Sequence, residues 1–305
     1  MLREDFHPDL RRAARTAPRQ MVGPWTYRLI RALSKLAPRR AARDPEVITL
    51  GSGAGVRLFR PAFAAGAATE PAPALLWIHG GGYVLDNARM DDQICDRFST
   101  KLGITVASVE YRVAPEHPYP ASLEDCYSAL TWLTGLPAVD RGRVAIGGAS
   151  AGGGLAAALA LLARDRGSSG QGVAPAFQLL VYPMLDDRSW MTADNPNYRL
   201  WSRRANRFGW TAYLGDADPR VAVPARRDDL SGLPPAWIGV GTNDLFHDED
   251  LAYAERLKAA GVPCDVELVP GAFHGFDIWA SKSAVSQRFF DSQCEMLGAA
   301  LAPVG

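Results

Sequence analysis

Ser150 stands in the run Gly148-Ala149-Ser150-Ala151-Gly152, between a short β-branched stretch at 143–146 and a strong helix former at 153–163. A Gly-x-Ser-x-Gly at a strand-to-helix turn is a nucleophile elbow, which exposes the hydroxyl at a sheet edge and on the positive end of a helix. A serine hydroxyl is a poor nucleophile at neutral pH and needs a base in contact. The chain offers five histidines, His7, His79, His117, His247 and His274. His274 is the expected base, because it lies in a loop just past a strand ending near Val269, and ligands bind at the C-terminal edge of parallel strands. The base needs an acid that orients its ring and stabilises its charged form. In the order Ser…Asp/Glu…His that acid falls between 150 and 274, and Asp244 follows the strand at 236–240 through Gly241-Thr242-Asn243. Asp248, Glu249 and Asp250 are its rivals, but they open the next helix and are read as serving its N-terminus.

His79-Gly80-Gly81-Gly82 follows the apolar run at 74–78. Three glycines after a buried strand leave backbone N–H groups uncovered, which acyl transfer needs where an oxyanion develops. The expected donors are the N–H groups of Gly80 or Gly81, of Gly81 or Gly82, and of Ala151. The His79 side chain is read as bracing that loop. A tight turn or a phosphate loop would use the same glycines; the nearby elbow favours the oxyanion reading.

These residues need a scaffold. Residues 1 to about 45 read as helix punctuated by Pro24 and Pro38, and 44–61 as a hairpin around Gly51-Ser52-Gly53. Residues 62–73 are a loop, and 74–78 and 103–110 read as buried strands. Ser122-Leu123-Glu124-Asp125 reads as a capping box opening a helix to about Thr134. Strands at 176–182, 236–240 and 264–269 alternate with helices at 248–260 and 281–300. That rhythm is an α/β fold with a mostly parallel sheet and right-handed crossovers. Residues 184–214 break it, carrying six aromatic residues and no strand pattern. Long insertions of this kind are usually functional or lids, so this one is read as a cap packed with the N-terminal helices.

The chain has 305 residues, 48% hydrophobic and 22% charged, enough for one large domain with a full core. Lysine plus arginine equals aspartate plus glutamate at 33 each, which favours neither nucleic acid nor an anionic membrane as partner. Basic residues do gather at Arg11, Arg12, Arg15, Arg19, Arg39, Arg40 and Arg43, read as a solvated helical face. Cys95, Cys126, Cys264 and Cys294 lack metal-ligand spacing, so no metal is expected, and they fit a reducing compartment. The start shows no signal peptide and no run is long enough to span a bilayer, so a cytoplasmic protein is expected.

The combination resembles the hormone-sensitive-lipase-like branch of the α/β-hydrolases, the bacterial family IV esterases. The resemblance rests on His79-Gly80-Gly81-Gly82-Tyr83, the run Tyr111 to Ala121, the elbow with Gly153 after it, Asp244 to Glu249, and His274-Gly275-Phe276, in the family's order. It implies an eight-stranded, mostly parallel sheet flanked by helices, with a helical cap. The cap would comprise 1–45 and 184–214, the core 46–183 and 215–305. The resemblance carries over a triad of Ser150, Asp244 and His274 and an oxyanion hole of Gly80, Gly81 and Ala151. It implies hydrolysis of short- to medium-chain acyl esters without any cofactor, a small-molecule ester as substrate, and a possible homodimer. Trp201, Asn206, Phe208, Leu245 and Phe276 are candidates for the pocket lining. Amide, lactone or carbamate hydrolysis would use the same triad. A non-catalytic binder, such as the plant gibberellin receptors that resemble this family, lacks the histidine found here at 274. The chain departs from the family at Ala149, where Asp or Thr is commonest, and at Leu245, often Pro.

Overall fold

The computed structural model describes residues 5–36, 43–61, 70–86, 88–167 and 172–303. Pro38, Arg39, Arg40 and most of the 62–73 loop lie outside the described residues. Eight strands form one sheet: β1 (Glu46–Thr49), β2 (Gly55–Phe59), β3 (Ala72–Ile78), β4 (Thr105–Glu110), β5 (Val139–Ala149), β6 (Phe177–Val181), β7 (Ala236–Asn243) and β8 (Cys264–Phe273). Their order is β1-β2-β4-β3-β5-β6-β7-β8, antiparallel at β1/β2 and β2/β4 and parallel elsewhere. The expected hairpin is therefore β1–β2. The helices are α1 (Arg11–Thr16), α2 (Tyr27–Leu36), α3 (Asp92–Leu102), α4 (Ala121–Thr134), α5 (Ala151–Gly167), α6 (Arg203–Leu214), α7 (Pro219–Ala222), α8 (His247–Ala259), α9 (Phe276–Trp279) and α10 (Ala284–Ala300).

Successive side chains of a strand point to opposite faces, and this divides the core in two. Leu76 and Ile78 of β3 join Leu130 of α4, Leu155 and Leu159 of α5 and Leu257 of α8. Leu75 and Trp77 join Phe98 of α3 and Phe289 and Leu297 of α10 on the other face. Both faces are covered, so β3 reads as one apolar run rather than an alternation. Ends are set locally: Ser202 and Ser283 accept from the N–H groups of Ala205 and Ser286 to start α6 and α10, and Gly103 closes α3 in the left-handed conformation.

Two local expectations fail. The described part of 1–45 is not one helix: α1 ends at Thr16, and 17–26 run as irregular chain with a turn at 24–26 before α2. There Pro18 spends its carbonyl on the Leu200 N–H rather than on a helix. The capping box at Ser122 is absent too. α4 starts one residue earlier behind Pro120 without a side-chain cap, and the buried Ser122 hydroxyl has no partner among the described residues.

The N-terminal segment and 184–214 pack on each other over the C-terminal edge of the sheet. Arg199 Nε donates to the Ala14 carbonyl at 2.8 Å, Arg19 pairs with Asp194 at 2.9 Å, and the Tyr27 and Phe208 rings lie 5.5 Å apart. All four cysteines are free and buried.

Candidate active site

Each residue with chemistry to offer comes just after the C-terminal end of a parallel strand. β3 ends at Ile78 before His79, β5 at Ala149 before Ser150, β7 at Asn243 before Asp244, and β8 at Phe273 before His274. Register does the rest. Ile78 pairs with Gly148, which sets the glycine loop beside the elbow, and Asn243 pairs with Phe273, which sets Asp244 beside His274.

Ser150 turns the chain at φ +57°, a conformation that costs a non-glycine residue on the order of 1–3 kcal/mol. The turn is held from both sides: its N–H donates to Val181 at 2.9 Å, and its carbonyl accepts from Gly154 and Met184 at 3.0 Å each. A Cβ on Gly152 would sit 2.0 Å from the Ile78 carbonyl oxygen, and one on Gly148 would sit 2.4 Å from the same atom. The elbow can approach β3 this closely only without side chains.

His274 Nε2 lies 2.9 Å from Ser150 Oγ, and its Nδ1 lies 2.8 Å from Asp244 Oδ2. Asp244 accepts only, so Nδ1 carries the proton and donates to it, leaving Nε2 to accept from the serine hydroxyl. The second carboxylate oxygen of Asp244 accepts from the Phe246 N–H at 3.0 Å. All three residues are buried. Edges of the Tyr182 and Phe246 rings, at centroid distances of 4.9 and 5.1 Å, fix the imidazole plane. This line of groups can pass a proton from a hydroxyl to an imidazole whose positive charge is then stabilised.

His79 is buried and its pKa is lowered to about 4, chiefly by loss of solvent, so the ring is neutral. It stacks on Tyr111 at 4.2 Å, and its Nδ1 is 2.7 Å from the Gly80 carbonyl oxygen, to which it must donate. In a trans peptide the carbonyl and the following N–H point in opposite directions. Pinning the Gly80 carbonyl therefore aims the Gly81 N–H the other way. Gly81 and Gly82 have φ of +119° and +60°, and a Cβ on Gly82 would sit 2.0 Å from the Trp201 ring.

The rival acids sit elsewhere. Asp248 is exposed and bonds His247. Glu249 and Asp250 do not serve the N-terminus of α8 as expected; both are buried. Glu249 accepts from the Leu185 and Asp186 N–H groups and the Ser189 hydroxyl, so it anchors the root of 184–214. Burial pushes its carboxyl, and that of Asp250, well above the usual carboxylate range.

A cavity of about 240 Å³ opens on Ser150 and His274. Trp201 lines it. Asn206, Phe208, Leu245 and Phe276 fall outside its lining: Asn206 accepts from Trp201 Nε1 behind the wall, Phe208 packs on Tyr27, and Phe276 packs on Phe289. Met21, Val22, Leu85, Met90, Leu200, Ile278 and Trp279 line it instead, together with Asp91 and Tyr182. They come from loops and short helices with no periodicity to reveal them. Beyond Ala149 lies a second cavity of about 80 Å³ that shares Met90, Asp91, Ala149, Tyr182 and Ile278 with the first. Burial raises Asp91 there to about 6, while Trp77 Nε1 donates to it at 2.7 Å. No group of three or more His, Cys, Asp or Glu side chains suited to a metal ion occurs among the described residues.

A family profile described as alpha/beta hydrolase fold matches residues 75–278. The chain is 37% identical to esterase LipI of Mycobacterium tuberculosis over 67% of its own length and 66% of that protein's. It is 38% identical to carboxylic ester hydrolase LipN of the same organism over 72% of its own length and 60% of that protein's. The chain thus spans less than two thirds of the length of these relatives. Among solved structures, a bacterial heroin esterase superposes with a TM-score of 0.87 at 34% identity, covering 99% of this chain and 100% of that one. Esterase LipW from Mycobacterium marinum superposes with a TM-score of 0.81 at 36% identity, covering 98% and 97%.

Proposed function

We propose that this chain, which belongs to the hormone-sensitive-lipase-like family of α/β-hydrolases, is a serine carboxylesterase. The observation that carries the proposal is the buried line Ser150 Oγ, His274 Nε2, His274 Nδ1, Asp244 Oδ2, with contacts of 2.9 and 2.8 Å.

Ser150 attacks the ester carbonyl while His274 Nε2 takes its proton. Asp244 holds the ring and offsets the imidazolium charge. The N–H groups of Gly80, Gly81 and Ala151 receive the oxyanion; the bond from His79 that orients the 80–81 peptide supports this. The alcohol leaves with the proton from His274, and an acyl group remains on Ser150. His274 then activates a water that releases the acid and restores the serine.

The N-terminal segment, 1–45, and 184–214 act as the cap, with 46–183 and 215–305 as the hydrolase core. The predominantly apolar lining and the volume of about 240 Å³ support acyl groups of short to medium length, since sites for drug-sized ligands run to roughly 300–1,000 Å³. Four free buried cysteines support a reducing, cytoplasmic setting. An acyl-chain series of p-nitrophenyl esters tests the reading. It predicts a product burst, a maximum of kcat/KM among the short to medium chains, and stoichiometric labelling of Ser150 by an organophosphonate. Absence of turnover and of labelling would remove the esterase reading.

A further inference from the structure

Helix α2 turns its apolar side outward. It is held to the protein by buried Tyr27 and by Arg31, whose guanidinium donates to the carbonyls of Val84 and Ala114 and pairs with Glu116 at 3.0 Å. The opposite side carries Leu29, Leu33 and Leu36, 61%, 57% and 81% exposed, with Trp25 a turn earlier at 89%. Spacings of four, four and three residues put these side chains on one stripe. A surface helix normally buries such a stripe, and single exposed apolar residues are common where a contiguous row is not.

The segment that carries the stripe is also where the charge lies. Residues 1–45 hold eleven lysines and arginines against four acids, in a chain whose formal net charge is zero. Arg11, Arg12 and Arg15 of α1 are exposed and form no ion pair among the described residues. The surface is continuous with the mouth of the cavity. Met21, Ile278 and Trp279 line the cavity while remaining 39%, 52% and 42% exposed, and Trp279 Nε1 reaches Thr16 at the end of α1.

We propose that this face docks on a lipid surface bearing anionic head groups, with Trp25, Leu29, Leu33 and Leu36 entering the head-group boundary. An exposed row of aliphatic and indole side chains in the same N-terminal segment as unpaired arginines combines the two attractions an interfacial helix uses, apolar insertion and charge. A second copy of this chain fits the face poorly, because pairing it with itself would bring together the unpaired arginines of two N-terminal segments. Docking there sets the cavity mouth against the lipid, so an apolar ester enters without crossing water. No helix among the described residues is long and apolar enough to cross a membrane, and the proposed association is a peripheral one.

The full chain should co-sediment with mixed phosphatidylcholine–phosphatidylglycerol vesicles far more than with phosphatidylcholine alone, and high salt should release it. Leu29→Ser combined with Leu33→Ser should weaken vesicle binding by about tenfold or more, with turnover of a dissolved short-chain ester unchanged. Arg11→Gln with Arg12→Gln and Arg15→Gln should remove the preference for phosphatidylglycerol. If the leucine pair lowers the melting temperature, the arginine variant decides alone, and an unchanged preference overturns the proposal. So does failure to bind either vesicle, equal binding to both, or a dimer at rising concentration that the leucine pair abolishes, which would assign the face to a second copy.

Discussion

The edge of the sheet that carries Ser150, Asp244 and His274 and the layer that covers it are held by different means. At the edge, backbone register fixes each residue: Ile78 against Gly148, Asn243 against Phe273, Ser150 tied to Val181 and Met184. The covering layer leans mainly on side chains, alongside a backbone bond from the Leu200 N–H to the Pro18 carbonyl. Arg199 and Arg31 reach backbone carbonyls, Arg19 meets Asp194 where both are half exposed, and one flank of α2 is left uncovered. A register is cooperative and hard to alter one residue at a time, whereas an exposed ion pair contributes about 1 kcal/mol or less. On the proposed function the two regions would divide the work, the edge setting the reaction and the cover what reaches it.

The sharpest test of that division is Ser150→Ala, which should lower kcat for a p-nitrophenyl ester by about 10⁶. Substantial residual turnover would move the chemistry away from the edge. Asp244→Asn should cost about 10⁴, while Asp248→Asn leaves the rate near its original value; the reverse pattern would reassign the acid. Gly81→Ala tests the loop between the regions. At φ +119°, with the new Cβ 2.7 Å from that of Leu85, the loop must shift, and kcat should fall by roughly 10²–10³. In the cover, Arg199→Ala should raise KM severalfold with kcat nearly unchanged. A loss as large as that of Asp244→Asn would mean that the cover, too, holds the chemistry.

The smallest effect lies beneath the edge, at Asp250. Its carboxyl is pushed up by burial and by the nearby Glu249 and Asp244. A folded-state pKa above the unfolded value near 3.9 means that the folded chain binds the proton more tightly. The stabilisation is complete below that unfolded value and is lost as pH rises through the folded one. Asp250→Asn, which cannot ionise, should match the parent's melting temperature at low pH and exceed it by about 2–4 °C at alkaline pH. A melting temperature that falls equally at all pH values would show that the carboxyl is held for its bonding instead.

What could be read in advance follows the same division. The strands at 74–78, 103–110 and 236–240 were legible because burial on both faces leaves continuous apolar runs. The placement of His79, Ser150 and Asp244 past strand ends was legible because their strands are largely apolar, whereas the strand before His274 mixes buried and exposed positions and was legible from its β-branched and apolar residues at 264–269. The Ser122 cap misled because a serine ahead of an acid has the same spelling whether its hydroxyl caps a helix or is buried, as here. Glu249 and Asp250 misled for a related reason: an acid at a helix start usually meets solvent, and only tertiary packing, for Glu249 that of 184–214, shows that these do not. The cavity wall escaped because Met21, Leu85, Leu200 and Ile278 meet through tertiary packing alone, while of the six aromatics of 184–214 Trp201 alone reaches the cavity.

The contact between Gly152 and the Ile78 carbonyl carries a consequence for how such a protein can change. A single methyl group at 148 or 152 would collide with the strand that leads into the glycine loop, so neither segment has room to drift without the other. Random mutagenesis should find this junction almost silent, with viable variants gathering in the cover. New substrate ranges would then arise by rebuilding the roof of the cavity while its floor stays in place.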